Sequence, residues 1–91
     1  MSTATGSQSW DAGRAQWQQI RNERPIPAAD SQRRLSPPVP VTAWIVWERD
    51  GLELVDAVAT HYAARDVLVA VRDPRLRTQG VWLAAQDARR Q

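Results

Sequence analysis

Val41-Thr-Ala-Trp44-Ile-Val-Trp47-Glu-Arg-Asp50-Gly51-Leu-Glu-Leu54-Val-Asp-Ala-Val58-Ala-Thr-His-Tyr62 reads as a β-hairpin. Its first nine residues are rich in Val, Ile, Trp and Thr, which fit a pleated, half-buried surface. Asp50-Gly51 is a strong short-range turn signal, and Leu52 to Tyr62 is a long, bent return strand. A two-residue turn pairs Arg49 with Leu52, Trp47 with Leu54, Ile45 with Asp56 and Ala43 with Val58. One face then carries Val41, Ala43, Ile45, Trp47, Leu54 and Val58. The other carries Trp44, Val46, Val55, Ala57 and Ala59, with Glu48 and Glu53 opposed at a wet tip.

Working toward the C-terminus, Ala63 to Asp66 is a turn and Val67 to Val71 a third strand. Asp73 to Gly80 is a loop, and Val81-Trp82-Leu83 is a fourth strand. Ala84 to Arg90 is expected to hold one helical or 3₁₀ turn and a short closing strand. Val67, Val69 and Val71 alternate with Leu68 and Ala70, so the third strand is apolar on both faces, like the hairpin. Such strands imply a strongly curled barrel or a sheet covered from outside.

Working toward the N-terminus, the composition changes near Pro40. Residues 1–40 hold five of the six prolines and all five serines, but few aliphatic side chains. Ser9 to Arg24 has the marks of a helix. Ser9 is an N-cap, Asp11 suits the first turn, Arg21 and Arg24 suit the last, and Pro25 ends it. Trp10, Trp17 and Ile20 share one helical face. Residues 25–40 read as a Pro-rich extended linker. The expected organisation is an arm over 1–40, with a helix at about 9–24 and a linker over 25–40, followed by a small β-barrel over 41–91. The fold class is mainly β.

Charge divides at the same point. The chain has twelve arginines, no lysine, and a formal net charge of +2. The arm carries five Arg against Asp11, Glu23 and Asp30, while residues 41–91 carry seven Arg against seven acids. The whole basic excess therefore lies on the arm. The missing lysine and the fourteen alanines fit a bias toward GC-rich codons.

Residue chemistry argues against an enzyme. There is no cysteine and a single histidine, His61. Every serine lies in the arm, and Thr60, next to His61, is expected on the opposite strand face, so no nucleophile stands beside a base. The glycines form no phosphate loop, and no clustered acids or histidines suggest a metal. No catalytic residue, cofactor or metal is expected. No apolar run is long enough to span a membrane. The first nine residues lack the basic-then-apolar pattern of a secretory signal, so a cytoplasmic or virion-associated location is expected.

What remains is aromatic. The candidate partner-binding residues are Trp10, Trp17 and Ile20 on the arm, and Trp44, Tyr62 and Trp82 on the barrel. Trp47 belongs to the core. Tryptophan and arginine are enriched at interface hot spots. The opposing reading of the arm stripe packs it onto the chain's own barrel. The alternative function is nucleic-acid binding, with Arg14, Arg21, Arg24, Arg33 and Arg34 on phosphate.

The order of elements resembles an SH3-like or Tudor-like five-stranded barrel. The segments Trp47-Glu-Arg-Asp-Gly51, Val67-Leu-Val-Ala-Val71, Asp73-Pro-Arg-Leu76 and Gly80-Val-Trp-Leu83 carry that order over residues 41–90. They are similar to small uncharacterised proteins of GC-rich actinobacteria and their phages and plasmids. The resemblance implies a non-enzymatic adaptor or structural component, such as a minor virion or connector protein. Its partner would be a protein or a second copy of the chain.

Overall fold

The computed structural model describes residues 16–91. Five strands form one antiparallel sheet: β1 (Arg33–Trp47), β2 (Gly51–Ala63), β3 (Asp66–Ala70), β4 (Gly80–Ala84) and β5 (Ala88–Arg90). The spatial order is β4-β3-β2-β1-β5, so β1 to β4 form a meander and β5 returns to the far side of β1. Two 3₁₀ turns, Ala29–Ser31 and Ala85–Asp87, precede β1 and β5.

The connection from β4 to β5 requires curvature. In a flat sheet the two outer strands would lie roughly 19 Å apart. The four Cα steps from Ala84 to Ala88 reach at most about 14 Å. The sheet therefore curls, and its concave face forms the core. Val41, Ala43, Ile45 and Trp47 from β1 meet Ala57 and Ala59 from β2, Val69 from β3, and Val81 and Leu83 from β4.

The hairpin register differs from the sequence expectation. Trp47 pairs with Gly51, Ile45 with Glu53, Ala43 with Val55 and Val41 with Ala57. Three residues, Glu48 to Asp50, form the loop, and Gly51 closes it at φ +76°. Only glycine reaches that region without a Cβ penalty, and the pairing of Trp47 with Gly51 sets it at the end of a three-residue loop and not within a two-residue one. A shift by an odd number of residues moves every β2 side chain to the other face. Ala57 and Ala59 are therefore buried, whereas Leu52, Leu54 and Val58 are exposed. The expected Glu48–Glu53 opposition is absent, because Glu53 stands opposite Ile45.

The N-terminal segment also departs from expectation. Residues 16–24 contain no helix, and the rest of the expected helix, 9–15, lies outside the described residues. The chain makes a turn at Arg21 and Asn22, where the Glu23 N–H donates to the Ile20 carbonyl (3.3 Å), and bridges two strands. Ile20 pairs with Trp47 and Glu23 with Leu83. The Arg21 N–H donates to the Val46 carbonyl (2.7 Å), and the Arg24 N–H donates to the Trp82 carbonyl (2.7 Å). The Gln19 carbonyl accepts from the Glu48 N–H (2.9 Å). This segment satisfies backbone groups that β1 and β4 would otherwise leave unpaired, and it places Ile20 in the core. A short isolated helix would gain neither.

The Pro-rich stretch is likewise a linker only as far as Gln32. From Arg33 it is already β1, paired with β2. The prolines are accommodated by a register break between Arg34 and Val39, where Pro37 and Pro38 owe no N–H to the ladder.

Candidate functional site

Three surfaces gather the chemically interesting side chains. The first is the convex face of β1 and β2. The ladder puts Val46 beside Leu52, Trp44 beside Leu54, Thr42 beside Asp56 and Pro40 beside Val58. On this face Trp44 is 42% exposed, Leu52 61%, Leu54 57% and Val58 38%. The core is complete without them, so they form an apolar patch left in water. One edge is fixed by Asn22, whose amide donates to the Trp44 carbonyl (2.8 Å) and to Asp87 Oδ2 (3.2 Å) and accepts from the Val46 N–H (3.0 Å). Across Thr42 the row continues to Arg89 on β5.

The second surface is a cleft of about 440 Å³ between residues 17–23 and the loop after β3. Trp17, half exposed, forms one wall, and the Arg77 guanidinium lies 4.9 Å from its ring centroid. Glu23, Glu48 and Leu76 complete the lining.

The third is the end of the molecule away from the hairpin tip. Arg33 pairs with Tyr62 and Arg34 with His61 across β1 and β2. Tyr62 and Arg90 line a small apolar recess with Leu35, Val39 and Val67. Tyr62 faces the concave side, since its partner Val67 is in register with the buried Leu83. Trp44 and Tyr62 therefore lie on opposite faces and form no common cage.

The tip is held by one arginine. Arg75 donates to Asp73 (2.7 Å), Glu53 (2.6 Å) and Asp50 (3.0 Å) and stacks 4.1 Å over the Trp47 ring. Trp47 Nε1 donates to the same Glu53 carboxylate (3.1 Å). The Arg75 hydrogen bond holds the Asp73 carboxyl below its ordinary pKa. Hydrogen bonds from Gln18 and then Arg75 do the same for Asp50. These three carboxylates are committed to one cation and bind the loop after β3 to the hairpin.

The other expected residues fall into place individually. Trp10 and Arg14 lie outside the described residues. Ile20 and Trp82 are buried, which corrects their expected role as partner-facing side chains. Ile20 belongs to the core, and Trp82 sits beside Leu68 in the ladder of β3 and β4. Arg24 pairs with Asp66 (3.4 Å) and Arg21 donates to the Glu48 carbonyl (3.4 Å), so both are engaged within the fold. Arg33 donates to the carbonyls of Asp30 and Gln32.

His61 and Thr60 are not on opposite faces as expected. A register break between Ala59 and His61 brings His61 Nδ1 to 3.1 Å from Thr60 Oγ1. The Thr60 hydroxyl also lies 3.4 Å from the Leu68 carbonyl, so its one proton is shared between two acceptor positions, that carbonyl and the His61 ring. Among the described residues no group of three His, Asp or Glu side chains converges as a metal-ligand set, and no helix is long and apolar enough to cross a membrane.

Leu52, Leu54 and Val58 were absent from the candidates drawn from the sequence. Their signal was the glycine at the end of the turn, which a three-residue loop accommodates as well as a two-residue one. Arg75 was hidden because its three acids are scattered over residues 50, 53 and 73. No protein-family model, no curated protein and no solved structure matches the chain.

Proposed function

We propose that this protein is a non-enzymatic protein-interaction module built on an SH3-like curled sheet. The strand order β4-β3-β2-β1-β5 and the 3₁₀ turn before β5 support the SH3-like reading. The observation that carries the function is the convex face of β1 and β2. Trp44, Leu52 and Leu54 stand together there, with Val58 beyond the Thr42–Asp56 row, although the concave side already supplies a full core. A contiguous exposed apolar patch with polar groups at its rim marks an interaction surface. Tryptophan at its centre is the residue type that most often dominates binding energy.

The test is a tagged chain in the cells that make it, compared with a Trp44→Ser/Leu54→Ser variant. Both side chains are solvent-facing, so the variant keeps its fold. Proteins retained by the native chain and lost from the variant support the reading, and identical retention by both refutes it. A virion or mobile-element assembly is the setting proposed for such a module, and the identity of the retained proteins tests it.

One observation favours nucleic acid as a second reading. Arg33 and Arg34 lie at the same end as Tyr62 and Arg90. Basic side chains beside an aromatic platform can hold single strands. That reading predicts retention of a single-stranded oligonucleotide that falls steeply with salt and is lost in Arg33→Ala/Arg34→Ala. No retention at low salt removes it.

A further inference from the structure

We propose that the partner of the convex face is a second copy of this chain, related by a two-fold axis running along β1. The proposal rests on reading that face as a docking surface, and it adds the identity of the occupant. The observation behind it is one row of the ladder. Thr42 on β1 is flanked by Asp56 on β2 and by Arg89 on β5. Strand spacing puts Asp56 and Arg89 roughly 10 Å apart, one on each side of the middle strand. Both are exposed, and neither forms an ion pair with the described residues of its own chain.

Two sheets packed face to face about an axis along β1 exchange left and right. Asp56 of each copy then lies over Arg89 of the other, twice per interface. The same operation sets Trp44 against Trp44, and Leu54 of each copy covers the flank of the other's ring. The face is thus complementary to itself in charge, as an isologous interface requires. Asp56 is oriented by the Gln91 side-chain amide, which donates to its Oδ1 (3.0 Å) and to the Val41 carbonyl (3.0 Å). β1 and β2 each offer four outward positions and β5 one, a contact of roughly 300 Å² per copy. That is well under half the area of a standard interface per partner, so the dimer is weak and dissociates on dilution.

The experiment is sedimentation velocity over about a hundredfold range of protein concentration. It uses the native chain, Asp56→Arg, Arg89→Asp, an equimolar mixture of those two variants, and Trp44→Ser. The native chain is expected to pass from monomer to dimer. Each charge variant alone places like charges opposite each other at both contacts, and its dissociation constant should weaken at least about tenfold. The mixture pairs opposite charges at both contacts, so it should dimerise nearly as well as the native chain. A folding defect would not give that recovery. Trp44→Ser should stay monomeric.

A native chain that is monomeric throughout overturns the proposal, as does a mixture no tighter than its components. If Trp44→Ser still strips proteins from the tagged chain in that case, the docking face stands and only its occupant is wrong. If Trp44→Ser changes neither measurement, the docking reading falls as well.

Discussion

The Arg75 guanidinium lies 4.1 Å over the ring of Trp47, a side chain that is itself almost wholly buried. The ring offers its negative face to the cation while Asp73, Glu53 and Asp50 hold the edges of the guanidinium. The Arg75 carbonyl also accepts from the Gln18 N–H (2.9 Å), so one residue joins the loop after β3, the hairpin and the N-terminal segment. Arg75→Ala is expected to destabilise the fold by about 2 kcal/mol, because it removes the stacking and leaves acidic groups facing one another. Arg75→Lys keeps the charge but not the planar fork, and should recover less than half of the loss. Urea denaturation of the three proteins at neutral pH measures this. Equal stability of Arg75→Ala and the native chain would contradict the role given to the cluster.

The same cluster sets the acid stability. Asp73 is held below its ordinary pKa first by its hydrogen bond from Arg75, against the opposing effect of burial. Asp50 is lowered by Gln18 and then by Arg75. A carboxylate depressed in the folded state stabilises it fully above the unfolded value of about 4. That contribution is lost as pH falls through the lower folded value. Denaturation midpoints should therefore be flat from neutrality to about pH 5 and then drop below about pH 4. Asp73→Asn should start lower at neutral pH and fall less steeply in acid. A parallel curve for this variant would show that other groups govern the transition.

The sequence exposed the strands because their periodicity is local, and left the register open because Asp50-Gly51 fits a two-residue and a three-residue loop alike. On β1 the division of Val41, Ala43, Ile45 and Trp47 from Trp44 and Val46 was legible, since alternation fixes it within a single strand. On β2 the division inverted, because Val55, Ala57 and Ala59 are no more apolar than Leu52, Leu54 and Val58. Composition could not say which set faces inward. The pairing of Trp47 with Gly51 does. Trp17 and Ile20 carried a further ambiguity. Their spacing fits a helix, and a non-helical segment whose bonds go to β1 and β4 leaves no periodic mark. Of the candidate site, Trp44 was therefore visible in the sequence, whereas its neighbours on β2 depended on the register.

Ile20 gives the N-terminal segment a measurable share of the stability. It is 6% exposed and belongs to the same core as Trp47 and Leu83, the residues its segment bridges. Ile20→Ala should cost about 2–5 kcal/mol, the usual range for truncating a buried isoleucine. Ile26, only six positions on, is 76% exposed, and Ile26→Ala should change stability by less than about 0.5 kcal/mol. Denaturant midpoints of the two variants separate an integral element from a dispensable arm. If Ile20→Ala matched Ile26→Ala, the segment would have to be peeling away from the sheet at little cost.

Two turns make opposite predictions from the same backbone region. Gly51 adopts φ +76°, and a Cβ built there meets nothing within 4 Å, so Gly51→Ala adds strain without a clash. The cost should be about 1–2 kcal/mol, set by the backbone alone. Ala64, in the turn between β2 and β3, adopts φ +52° with its Cβ already in place. It is exposed, so replacing it removes strain and no packing. Ala64→Gly should therefore stabilise the fold by about 0.5–1 kcal/mol, the relief of left-handed strain less the greater freedom of glycine in the unfolded chain. The double variant Gly51→Ala/Ala64→Gly should be additive, since the two turns cap opposite ends of β2 and share no partner. Thermal unfolding of the four proteins tests both signs. A destabilising Ala64→Gly would mean that the left-handed residue is not strained in this turn.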